Sequence, residues 1–114
     1  MTKLVGGCLC GRVRYSVEGE PLMSGICHCR NCQRYTGSAF EPVIGVPSSS
    51  VNVQGELRTY HVAEVEVMPN VTFVLAGTLD DPRQFMPAME LYCSSAQPWF
   101  HAGGARTQFA KMPG

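Results

Sequence analysis

Residues 27–32 read CHCRNC and place three cysteines at C-x-C-x-x-C spacing. Thiols this dense must hold a metal, cross-link or stay reduced, and each outcome imposes its own local fold. Six cysteines in 114 residues would suit a disulfide framework in a secreted domain. The start, MTKLVGGCLCGRVRY, has no apolar signal-peptide core, and no stretch approaches the roughly 18 apolar residues of a membrane span. The expectation is a cytoplasmic protein with no membrane partner, whose clustered thiols are metal ligands. A C-x-C reversal is also too short for comfortable pairing within the motif. Nine Lys and Arg balance nine Asp and Glu, which leaves no positive surplus to hold a polyanion and argues against nucleic acid as a partner. With 45% hydrophobic and 16% charged residues, the chain suits one domain over residues 1–114.

The dominant rhythm is short and strand-like. Val13, Tyr15 and Val17 alternate with Arg12, Arg14 and Ser16, the period of two of a half-buried strand, until Gly19-Glu20-Pro21 breaks it. Further β-branched and alternating stretches follow in AFEPVIGVP and SVNVQGELRTYHVAEVEV, punctuated by Pro47, three serines and Gly55. VTFVLAGTL is apolar almost throughout and reads as a strand covered on both faces. MELYCSSAQPWFHA reads as a last strand ending near Pro98 and Trp99. Helix signals are weak. The best is LDDPRQF, where Asp80 or Asp81 caps a single turn with Pro82 near its first position. The reading is a mainly β chain dominated by antiparallel structure.

Zinc bound by thiolates takes four protein ligands in a structural site, and three with an open position in a catalytic one. Cys27, Cys29 and Cys32 make three, so the local spacing suggests a three-thiolate site with room for a substrate. His28 lies between two of them and is expected to face away. Cys8 and Cys10 form a second half-site that needs two further donors. Arg30 and Arg34 flank the triplet and could grip a substrate carboxylate with paired N–H groups, although arginines in a polar turn are more often solvated. Cys93, Trp99 and Tyr35 read as packing residues, His61 and His101 as structural or exposed, and Met86 and Met89 as packing.

Taken together, GGCLCGRVRY at 6–15, CHCRNCQRYTGSAF at 27–40, AGTLDDP at 76–82 and SSAQPW at 94–99 resemble the glutathione-dependent formaldehyde-activating enzyme family, also called the GFA or centromere protein V family. The resemblance implies a β-tent fold of the Mss4-like type, small antiparallel sheets organised around zinc. It matches Cys27, Cys29 and Cys32 to a catalytic zinc triplet, and Cys8 and Cys10 to half of a structural zinc site. The implied activity is that of a carbon–sulfur lyase, an S-(hydroxymethyl)glutathione synthase-like enzyme whose small-molecule partners are a thiol such as glutathione and an aldehyde such as formaldehyde. Its alternative is a zinc-stabilised binding module without catalysis. Family members carry a later C-x-x-C that completes the structural site, whereas residues 61–70 here read HVAEVEVMPN. Either that piece is lost, or the sequence lacks an internal stretch, which the intact Cys8–Cys10 spacing favours. If the shortening is genuine, Cys8 and Cys10 either recruit Cys93, a histidine, or ligands from a second subunit in a homodimer, or are simply reduced thiols at a strand end.

Overall fold

Polar–apolar alternation and short breaks between strands produce two small sheets. The computed structural model describes residues 3–60, 68–100 and 106–113. Among them lie eight strands: β1 (Lys3–Gly7), β2 (Arg14–Glu18), β3 (Met23–Cys27), β4 (Glu41–Pro47), β5 (Val51–Gln54), β6 (Val71–Leu75), β7 (Met89–Leu91) and β8 (Thr107–Gln108). One α-helix, α1 (Arg30–Thr36), joins β3 to β4. The first sheet has the order β1-β2-β5 and the second β6-β4-β3-β7-β8. All pairings are antiparallel except β3–β7 and β7–β8, which are parallel. The fold is thus mainly β, as expected, with one mixed sheet. None of the described helices is long and apolar enough to cross a membrane.

The two sheets close on each other through Leu4 and Val17 from the first and Ile44, Val46 and Val74 from the second, with Ala76 and Leu79 sealing the end. β4 pairs with β3 on one side and β6 on the other, and both its faces are covered. Ile44 and Val46 enter this core, while Glu41 and Val43 alternate onto the opposite face, as the two-residue period of a strand requires. That opposite face carries the cysteines. Cys27 of β3 stands across from Glu41 of β4 and beside Leu91 of β7.

Several details depart from the sequence reading. Residues 30–36 form a helix that the sequence signals did not mark, because the capping residue is Cys29 rather than a serine or aspartate. β6 is a short edge strand with Phe73 41% exposed, not a strand covered on both faces; it stops where Ala76–Thr78 turn into a 3-10 helix. The last long strand reduces to Met89–Leu91. There Tyr92 adopts a left-handed backbone (φ 55°), rare for a side chain with a Cβ, and starts a 3-10 turn at Cys93–Ser95. Trp99 is 68% exposed rather than core, and Met86 is likewise exposed, while Met89 packs against the cysteine cluster. The LDDPRQF turn forms as expected: Asp81 accepts from the Arg83 N–H and Pro82 opens a 3-10 turn.

Candidate functional site

The strand-to-helix junction at residues 27–32 brings three thiols to one place. Cys27 ends β3, so its side chain takes the strand's inner face. Cys29 is the helix N-cap in extended conformation (φ −63°, ψ 151°), and its Sγ accepts the Cys32 N–H at 3.3 Å. Cys32 lies in the first turn of α1, and its thiol donates to Cys27 Sγ at 3.5 Å. The three sulfurs lie within 4.8 Å of one another and could hold a metal ion. No fourth Cys, His, Asp or Glu among the described residues belongs to that group. The helix ends where Gly37 takes the left-handed conformation (φ 70°) and its N–H bonds the Gln33 carbonyl, the usual role of glycine after a helix.

The surroundings favour the protonated form of the Cys29 and Cys32 thiols when no cation is present. The Cys32 thiol is pushed up first by its bond to Cys27, then by burial and by Glu41. Burial is the main cause for Cys29, whose thiol also rises. Tyr35 is raised by burial and by Glu41, to which its hydroxyl donates, and Tyr35 Oη lies 3.6 Å from Cys32 Sγ. A divalent cation inverts this balance, because it binds thiolates and releases their protons.

The cysteines border a cavity of about 290 Å³ whose walls are largely apolar: Val43, Met68, Phe73, Leu91, Tyr92 and Met112. Asn31, Tyr35 and Glu41 supply its polar groups beside the thiols. Of these, only Tyr35 was weighed from sequence, as a packing residue. The walls come from segments far apart in the chain that no motif marks.

His28 faces away from the thiols, as expected. It is fully buried, its Nε2 is 2.9 Å from Glu90 Oε1, and its ring meets Phe100 edge-on at 5.0 Å. Cys93 stands close enough that His28, Glu90 and Cys93 offer ligand atoms within 4.8 Å of one another. Burial alone would raise the Glu90 carboxyl, yet His28, Gln108 and Arg106 hold it below its usual range. Cys93 goes the other way: burial and the Glu90 charge push its thiol up. The cluster reads as a buried lock between β7 and the chain entering α1.

The remaining candidates lie elsewhere. Cys8 and Cys10 sit exposed on the turn between β1 and β2, where the Gly11 N–H bonds the Cys8 carbonyl at 2.9 Å and bonds from Cys10 lower the Cys8 thiol. Gly55, at the end of β5, packs so close to this turn that a Cβ there would lie 2.2 Å from the Arg12 carbonyl oxygen. The chain leaving β5 therefore starts beside Arg12 and Val13, at the end of the turn that carries Cys8 and Cys10; the stretch of 61–70 that lacks the second C-x-x-C lies mostly outside the described residues. Arg30 is exposed and bonds Gln33 along its own helix, Arg34 is exposed in the last turn, and neither lines the cavity.

A small, mainly β chain with three convergent thiols at a strand–helix junction beside a cavity defines a candidate thiolate metal site on a β scaffold. The family model for glutathione-dependent formaldehyde-activating enzyme matches residues 3–66, more than half of the chain, and the protein belongs to that family. Among curated proteins no match is found.

Proposed function

We propose that this protein is a zinc-dependent enzyme of thiol–aldehyde chemistry, a carbon–sulfur lyase in which Cys27, Cys29 and Cys32 hold the metal and Cys8 with Cys10 forms half of a second site. The observation that carries the reading is the convergence of three thiols at the edge of a cavity, with no fourth acidic, imidazole or thiol group joining them among the described residues. The donor set fits zinc. Tetrahedral thiolates with Zn–S bonds of about 2.3 Å lie about 3.8 Å apart, and Cys27 and Cys32 stand 3.5 Å apart, far beyond the ~2.05 Å of a disulfide. Zinc held there would keep an incoming thiol ionised at neutral pH.

The protein's own residues provide the rest. In the forward direction the substrate sulfur forms a bond to the aldehyde carbon, the carbonyl π pair moves to oxygen, and that oxygen takes up the proton the thiol gives up. Tyr35 Oη, beside Cys32 and bonded to Glu41, is placed to carry that proton. The cavity would bring the two reactants together, which for a bimolecular addition is a large part of the barrier. The family's name supports formaldehyde as the aldehyde.

The test is zinc content per chain by elemental analysis, paired with adduct formation from formaldehyde and a thiol followed by NMR. Cys29→Ser should lose zinc from the triplet and the catalysed rate together, with the sheet signature in circular dichroism retained. Full zinc content in that variant would refute the ligand assignment.

A further inference from the structure

We infer that the substrate this cavity selects is a neutral thiol with an apolar substituent, or its aldehyde adduct, and not a peptide thiol carrying carboxylates. The inference rests on the thiol–aldehyde reading above and specifies its substrate class. It follows from the charge and texture of the walls. Among the described residues that line the cavity there is no lysine, arginine or histidine, and the one acidic group is Glu41, 4% exposed and engaged by Tyr35. A substrate carboxylate drawn into such a space would lose its hydration, meet no basic side chain among the described lining residues and face an acid, the combination that makes buried charge costly. The two arginines nearest in sequence do not alter this, since neither Arg30 nor Arg34 lines the cavity.

The walls favour the opposite kind of ligand. Val43 and Phe73 project from β4 and β6, Leu91 ends β7, and Met68 and Met112 close the sides. Methionines adapt to irregular apolar shapes, and a cavity of about 290 Å³ lies near the lower end of small-molecule sites. A thiol seated with its sulfur toward Cys27, Cys29 and Cys32 would place its substituent against these side chains. Phe73, 41% exposed on an edge strand, would be covered by such a ligand.

Calorimetric titration of the zinc-loaded protein with benzyl mercaptan, glutathione and benzyl alcohol tests this. Benzyl mercaptan should bind at least about tenfold more tightly than glutathione, the scale expected for burying an aryl group in an apolar site. Phe73→Lys, a substitution at a half-open position, should weaken benzyl mercaptan about tenfold and narrow or reverse the gap to glutathione, because it removes wall and adds a cation. Benzyl alcohol binding as tightly as benzyl mercaptan would uphold the apolar class while failing the thiol reading. Glutathione binding as tightly as benzyl mercaptan, or tighter, would overturn the inference and leave the thiol reading standing. No measurable binding of either benzyl compound would also overturn it.

Discussion

Cys29 has two roles at one position, because its sulfur both joins the thiol group and caps α1 by accepting the Cys32 N–H. The roles separate by substitution in chelator-treated protein. Cys29→Asp supplies a strong capping oxygen, whereas Cys29→Ala supplies none, so the alanine variant should be less stable than the aspartate variant by about 1 kcal/mol, read from urea midpoints. Equal midpoints would show that the cap contributes nothing. His28, the neighbouring residue, is set by the far side of the sheet: His28→Ala would leave the buried Glu90 without its 2.9 Å partner and remove the ring that packs against Phe40 and Phe100. A loss of about 3 kcal/mol is expected from the combined cavity and lost hydrogen bond, measured by denaturant unfolding. These residues also show what was legible in the sequence. The thiol group was, because its members lie within one turn of chain. Glu41, Phe73, Leu91 and Met112 were not, because their place at the cavity depends on strand register between segments tens of residues apart, which no local pattern carries.

Among the elements, α1 is the one hidden from sequence reasoning, since its seven residues show no apolar stripe and its cap is a thiol. Its clearest trace was Gly37, whose left-handed φ of 70° ends the helix with open space around the missing Cβ. Gly37→Ala should therefore cost about 1 kcal/mol through backbone strain alone, with no steric clash to add; a neutral result in thermal unfolding would mean the chain relaxes there freely. β2 was legible because Val17 and Tyr15 face the core at the expected period, but the long apolar segment at 71–79 misled, since apolar content cannot tell an edge strand from a central one. The small sheet is further tied to the turn after β6 by Arg14, whose guanidinium bonds both Asp80 oxygens and holds that carboxyl below its usual range. A carboxyl with a depressed folded-state pKa contributes stability above its unfolded pKa and loses it as pH falls through the folded value. Asp80→Asn should lower the urea midpoint at pH 6, and the difference from the parent should vanish as the pH falls below the usual carboxylate range. A difference that persists at pH 2 would assign the effect to something other than charge.

At the scale of the molecule, the described residues form two apolar clusters that share no residue. One joins the sheets through Leu4, Val17, Ile44, Val46 and Val74; the other gathers Met23, Met89, Phe109 and Met112 around Cys27, Cys32 and Leu91. β4 lies between them, giving Ile44 and Val46 to the first and Val43 to the cavity face. If metal binds only at the thiol end, its binding energy is coupled to the second cluster and only indirectly to the first. A ligand at about a thousand times its Kd stabilises the folded state by about 4 kcal/mol, and chelation should remove that much wherever opening breaks the site. Hydrogen exchange on zinc-loaded and chelated protein should then show protection lost in α1 and around Leu91, with the amides of Val17 and Val46 largely unchanged. Uniform loss across both clusters would mean that metal holds the entire fold together, and the division at β4 would have no energetic meaning. Unchanged exchange at both would argue that the three cysteines bind no metal strongly enough to matter. The expected split places the thiol end on the less stable side of a strand whose other face keeps the sheets assembled, so that the thiol site can open without unfolding the core.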